Sequence, residues 1–147
     1  MESSIRHQYD ADLALQPVGS SAITATADAA NDLDLYRLTA GRGDLKNRYG
    51  LGSFDLVFQA VSVDEADADE TYTIAVSTVD AEGNNPVEQY SFTVTGADVG
   101  NPLVFAFHPE TLRARDEDAA QLRVSATLAG TSPSLQYFCF AAPHSHA

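Results

Sequence analysis

The chain has one cysteine, one methionine and no tryptophan. Cys139 alone cannot form an intrachain disulfide, so the fold must rest on its apolar core. Flanked by Phe138 and Phe140, its thiol reads as a small apolar filler rather than a nucleophile. Basic residues are also scarce: eight stand against twenty-one acidic ones, for a net charge of −13. That sign opposes direct contact with phosphate backbones or anionic membranes, which are held by cations. No run approaches the roughly 20 apolar residues that span a bilayer as a helix. Met1-Glu2-Ser3-Ser4-Ile5-Arg6-His7 also lacks the apolar stretch of a signal peptide, so a cytosol-like compartment is expected. Chemistry is missing as well. There is no G-x-S-x-G elbow, and Gly41-x-Gly43 meets neither the Walker nor the dinucleotide-binding pattern. No enzymatic activity, cofactor or metal is expected.

What the chain does have is alternation, with 44% hydrophobic residues over 147 positions, enough for one domain with its own core. A strand sends successive side chains to opposite faces. Phe54, Leu56, Phe58 and Ala60 share one face of the segment Phe54 to Val61. Tyr72, Ile74 and Val76 do so in Thr71 to Thr78, and Tyr90, Phe92 and Val94 in Gln89 to Thr95. Leu103, Phe105 and Phe107 form a fourth inward set, and Leu122, Val124, Ala126 and Leu128 a fifth. Leu135 to Ala142 is apolar on both faces, which predicts a strand that is central or covered by a partner. Ala22 to Ala27 and Leu33 to Leu38 read as two earlier short strands, and His108 to Ala120 has room for a helical turn. About eight short strands separated by Gly, Asn, Asp and Pro predict an all-β jelly-roll or Greek-key sandwich.

Three divisions follow along the chain: an N-terminal arm over 1–21, a β-sandwich over 22–142 and a flexible tail over 143–147. The arm is polar and irregular, ending in Pro17, Gly19, Ser20 and Ser21, and is expected to order only against a partner. Removing Met1 to Val18 should then leave the domain folded. The connection from about Thr39 to Ser53 is long and glycine-rich. It carries Arg42, Lys46, Arg48 and Tyr49, which with Arg37 make a basic and aromatic patch in an acidic protein. Such residues are enriched at interfaces. The first fifty residues hold seven acids and five bases, and the rest fourteen and three. The N-terminal third is therefore better suited to dock on an acidic surface.

Other motifs have plain readings. Asp64-Glu65-Ala66-Asp67-Ala68-Asp69-Glu70 packs five carboxylates together, as hard-cation sites do, but lacks the glycine and distal glutamate of a helix-loop-helix calcium site. It reads as a solvated acidic hairpin loop, with weak calcium binding open. Arg42-Gly43-Asp44 matches an adhesion tripeptide of a length that recurs by chance. His144-Ser145-His146 lies beyond the last strand with no third ligand in sequence, and His7 and His108 are isolated. The six tyrosines and seven phenylalanines fall mostly at inward positions.

In order and spacing the segments resemble a known family. They are Ala22-Ile23-Thr24-Ala25-Thr26-Ala27, Asn31-Asp32-Leu33-Asp34-Leu35, Phe54 to Val61 and Thr71 to Val79 with Asp80. Gln121-Leu122-Arg123-Val124-Ser125-Ala126-Thr127, leading to Gly130-Thr131 and the closing apolar strand, completes the set. The chain resembles, from roughly Ser21 to Ala142, the short jelly-roll type of capsid cement (head decoration) protein of tailed bacteriophages. The resemblance implies a structural virion protein made in the host cytoplasm. It would bind the outside of an icosahedral head, with the major capsid protein and further copies of itself, as a homodimer or higher oligomer, for partners. About twenty residues precede the first matching segment and about fifteen are inserted after the Asp-Leu segment. These additions make Arg6, Tyr9, Arg37, Arg42, Lys46, Arg48 and Tyr49 the capsid-contact candidates. The alternative from another class is a carbohydrate- or host-surface-binding sandwich, a virion fibre or lectin-like module, which would need an outward aromatic platform.

Overall fold

The computed structural model describes residues 9–35 and 53–143. Its strands are β1 (Ala14–Gln16), β2 (Ala27–Asp28), β3 (Leu33–Asp34), β4 (Phe54–Val63), β5 (Thr71–Val79), β6 (Val87–Val94), β7 (Leu103–Phe107), β8 (Gln121–Ala129) and β9 (Leu135–Pro143). One short helix, α1 (Pro109–Arg115), lies between β7 and β8. All named strand pairs are antiparallel and form two sheets, ordered β1-β9-β4-β7 and β2-β8-β5-β6, with β3 also on β8. Because β2 and β3 share one position along β8, there are eight strand positions among the described residues. The chain changes sheet at every step between these strands except β2 to β3 and β5 to β6. That is the connectivity of a jelly roll, the fold the alternation predicts.

The inward sets meet as expected. Phe54, Leu56, Phe58, Tyr72, Ile74, Val76, Leu122, Val124 and Ala126 are buried in one cluster between the sheets. Phe58 stacks on Tyr137 at 5.0 Å and meets Phe92 edge-on at 5.3 Å. Cys139 is fully buried in this core, which pushes its thiol pKa up and leaves it unfit as a nucleophile.

Two expectations shift. Residues 14–16, placed in the arm by their polar surroundings, are a strand: β1 pairs with β9, and Leu15 is fully buried. Three residues are too few for alternation to register, so the strand is visible only through its partner. The outward side of β4 is also less exposed than its pattern suggests, where it lies beside the covered face of β9. Asp55, Val57, Phe140 and Ala142 are buried there, and Tyr9 sets its ring edge-on against Phe140 at 5.3 Å. Strand β9 is thus both central and covered.

A two-sheet sandwich has two open sides, and this one closes them differently. Where β1 faces β2 and β3, the closure is polar. Asn31 donates from its backbone N–H to the Leu15 carbonyl oxygen at 2.9 Å and from its side-chain amide to that of Ala14 at 3.1 Å. The Ala30 N–H donates to Gln16 Oε1 at 2.9 Å. Arg123 on β8 then holds Asp32 with two bonds, Nε to Oδ1 at 2.9 Å and Nη2 to Oδ2 at 2.6 Å, fixing the chain between β2 and β3. At the other side, where edge strand β6 faces edge strand β7, the closure is aromatic.

Candidate functional site

The aromatic closure makes a cleft. Tyr90 and Phe92 on β6 meet Phe105 on β7, with ring centroids 5.0 Å and 4.6 Å apart. Phe92 is partly covered, whereas Tyr90 is 44% exposed although it follows the inward alternation of its strand. Among the described residues the strand lies at the sheet's edge, with no paired strand beyond it. Val104, on the outward face of β7, is equally exposed.

Helix α1 forms the opposite wall. His108 caps it, with Nδ1 accepting the Glu110 N–H at 3.3 Å, and Pro109 opens it where a missing N–H costs nothing. That bond leaves the proton of the neutral imidazole on Nε2. His108, Thr111 and Arg115 are spaced three and four apart, which aligns them along the helix. Leu112 turns inward and is buried, anchoring the helix to the core.

A polar network fixes this wall to the sheet. Strand β6 bulges at Gln89, because Tyr90 pairs with Val76 while Glu88 pairs with the adjacent Ser77. The extra residue is buried, and its amide nitrogen donates to Thr78 Oγ1 at 3.1 Å and to the Leu112 carbonyl at 3.4 Å. Thr78 Oγ1 donates to Asp116 Oδ2 at 2.7 Å, just past the helix, and Arg115 Nη1 donates to the Gln89 carbonyl at 2.9 Å. The open cleft has a volume of about 490 Å³, within the roughly 300–1,000 Å³ of ligand clefts.

Alternation alone placed Tyr90 in the core and gave Gln89 to solvent, so it missed this cleft. A signal was present in the Pro109 helix start and the 108, 111, 115 spacing. Nothing local, however, says that β6 and β7 are the edges.

Of the capsid-contact candidates, Tyr9 is the one within the described residues. It is 39% exposed, and its hydroxyl accepts the Val18 N–H at 3.1 Å. Arg6, Arg37, Arg42, Lys46, Arg48 and Tyr49 lie outside them, as do the Arg42-Gly43-Asp44 tripeptide, His7, His144 and His146.

The acidic loop is not a hairpin, since it carries the chain from β4 in one sheet to β5 in the other. Its carboxylates accept hydrogen bonds from the loop itself and from Thr131. Asp64 Oδ1 accepts the Ala66 N–H at 2.9 Å, and Asp69 accepts the Thr131 N–H at 3.0 Å and its hydroxyl at 2.8 Å. The Thr131 bonds hold Asp69 below the usual carboxylate range. Burial raises Glu70, whose Oε2 has no hydrogen-bond partner. Among the described residues no group of three or more His, Cys, Asp or Glu is arranged to hold a metal ion. No described helix is long and apolar enough to cross a membrane.

No protein-family model matches the chain, and no curated protein matches it. The protein's class is that of its fold, a jelly-roll sandwich with an aromatic cleft at one open edge.

Proposed function

We propose that the protein is a structural component of a tailed-phage virion that binds the outside of the head and bridges adjacent capsid subunits. One observation carries this reading. The segments that resemble cement proteins supply strands of both sheets of the jelly roll, around β2 and β3 and on β4, β5, β8 and β9, while β6 and β7 lie outside the resemblance. The resemblance is to the order and spacing of these strands. Jelly rolls also serve as lectin domains, so the fold alone does not choose between functions.

In this reading the work is mechanical and needs neither catalysis nor a cofactor. A protein that binds only the assembled lattice stabilises it by mass action, and many copies multiply modest contacts. The partners are the major capsid protein and further copies of this chain, as a dimer or higher oligomer, with no direct contact to nucleic acid or membrane. Synthesis is in the host cytoplasm and the final location is the capsid exterior. Arg6, Tyr9, Arg37, Arg42, Lys46, Arg48 and Tyr49 remain the proposed contacts. Tyr9 can offer its exposed edge while Phe140 holds its other side.

Quantitative mass spectrometry of virions purified from the source tests the proposal. A copy number commensurate with the icosahedral lattice is expected. A count of a few per particle, or none, overturns it.

A further inference from the structure

We propose that the cleft between β6, β7 and α1 binds an acidic saccharide, a sugar ring bearing a carboxylate. The inference goes beyond the capsid role and concerns the isolated protein.

Two walls of different chemistry define the ligand. On one side Tyr90 and Phe105 offer ring faces inclined by 49°. An aromatic face is electron-rich, so it attracts the polarised C–H bonds on the flat side of a pyranose ring. On the other side stand the Thr111 hydroxyl, the His108 Nε2–H and the Arg115 guanidinium. Arg115 gives one N–H to the Gln89 carbonyl, which orients the fork and leaves further donors for a carboxylate. An apolar peptide would make no use of this polar wall, and a small inorganic anion would make none of the rings.

Charge selects the acidic sugar over the neutral one. The chain has twenty-one acidic residues, yet among the described residues lining the cleft none is acidic, and Arg115 is there. A cationic cleft in an otherwise anionic protein concentrates anionic ligands locally. The cleft also opens to solvent along Tyr90 and Val104, each 44% exposed, so a terminal sugar could enter while its glycan leads away. A fatty acid would need an enclosed tunnel instead.

The test is a glycan array in which every uronic- or sialic-acid-terminated glycan is paired with its neutral counterpart. The full chain is the probe, and titration calorimetry follows on the strongest acidic glycan. Expected are a preference of at least about tenfold for the acidic member and a loss of at least about tenfold in Tyr90→Ala. Arg115→Lys, which keeps the charge but loses the fork, should weaken acidic binding more than neutral binding. Unchanged thermal midpoints of the variants separate lost contacts from lost fold. Absence of glycan binding, equal binding of neutral and acidic partners, or full binding by folded Tyr90→Ala would each overturn the proposal. None of these outcomes bears on capsid attachment, which virion composition measures separately.

Discussion

The Ser134 N–H donates to the Tyr72 hydroxyl oxygen at 3.0 Å, and that hydroxyl donates in turn to the Asp64 carbonyl. A fully buried phenol on β5 thereby joins the loop leaving β4 to the loop entering β9. Tyr72→Phe keeps the ring but strands both partners. A loss of about 1–3 kcal/mol is expected, read as a lower urea midpoint with an unchanged slope.

The same corner depends on Gly130. Its φ is +103°, and a Cβ there would stand 2.5 Å from the Asp69 carbonyl oxygen and 2.7 Å from the Glu70 Cα. Backbone cannot yield as a flexible side chain does. Backbone strain alone costs about 1–3 kcal/mol, so Gly130→Ala should lose at least about 2 kcal/mol in the same assay and disturb the Asp69–Thr131 bonds.

Strand β1 makes the N-terminal segment part of the fold. Leu15→Ala should cost about 2–5 kcal/mol, the range for emptying a buried leucine site. Deleting Met1 to Val18 should then lower thermal stability rather than leave the domain intact. Circular dichroism melts of both variants check this, and a wild-type melt of the deletion would show that β1 contributes nothing.

Two opposed carboxylate effects predict a pH signature. Asp69 and Asp80 are held below the ordinary 3.8 by hydrogen bonds, Asp69 from Thr131 and Asp80 from Asn84 and Asn85. Their stabilisation is present above that value and is lost as pH falls through the lowered folded values. Glu70 is raised above 4.5 by burial, so the folded state keeps its proton longer and stability declines as pH rises through that window. Glu70→Gln should melt higher than wild type at pH 7, with the gain vanishing near pH 4. Asp80→Asn should melt lower at pH 7, with its deficit shrinking toward pH 3. Thermal melts across this range read both.

Reversing Arg42, Lys46 and Arg48 to glutamate should reduce attachment to heads while leaving the melt of the free protein unchanged. Co-sedimentation of the variant with heads stripped of this chain measures it. Full retention would remove the loop from the proposed contacts.

The long strands were legible in the sequence because burying one face leaves a period of two. Tyr72 to Val76 carries it, as does Phe54 to Ala60 apart from Val57 on its outward side, and the core follows from them. The misread residues sit where that rule loses force. β1 is too short to show a period. At Gln89 the bulge buries a polar side chain, and at Tyr90 an inward position ends at an open edge. Edges and bulges are set by which strands become neighbours, and sheet order is a property of the whole chain. The covered outer face of β9 was legible from Phe138 and Phe140, but its cover, Tyr9, lies about 130 residues away.

The most direct measurement is cryo-electron microscopy of purified particles from the source, with this jelly roll fitted into the head density. Density for the chain at symmetry-related sites between capsomers, with the N-terminal segment or the 36–52 connection against capsid subunits, is the predicted result. Heads bare of the chain, or density at the tail alone, would contradict the cement role.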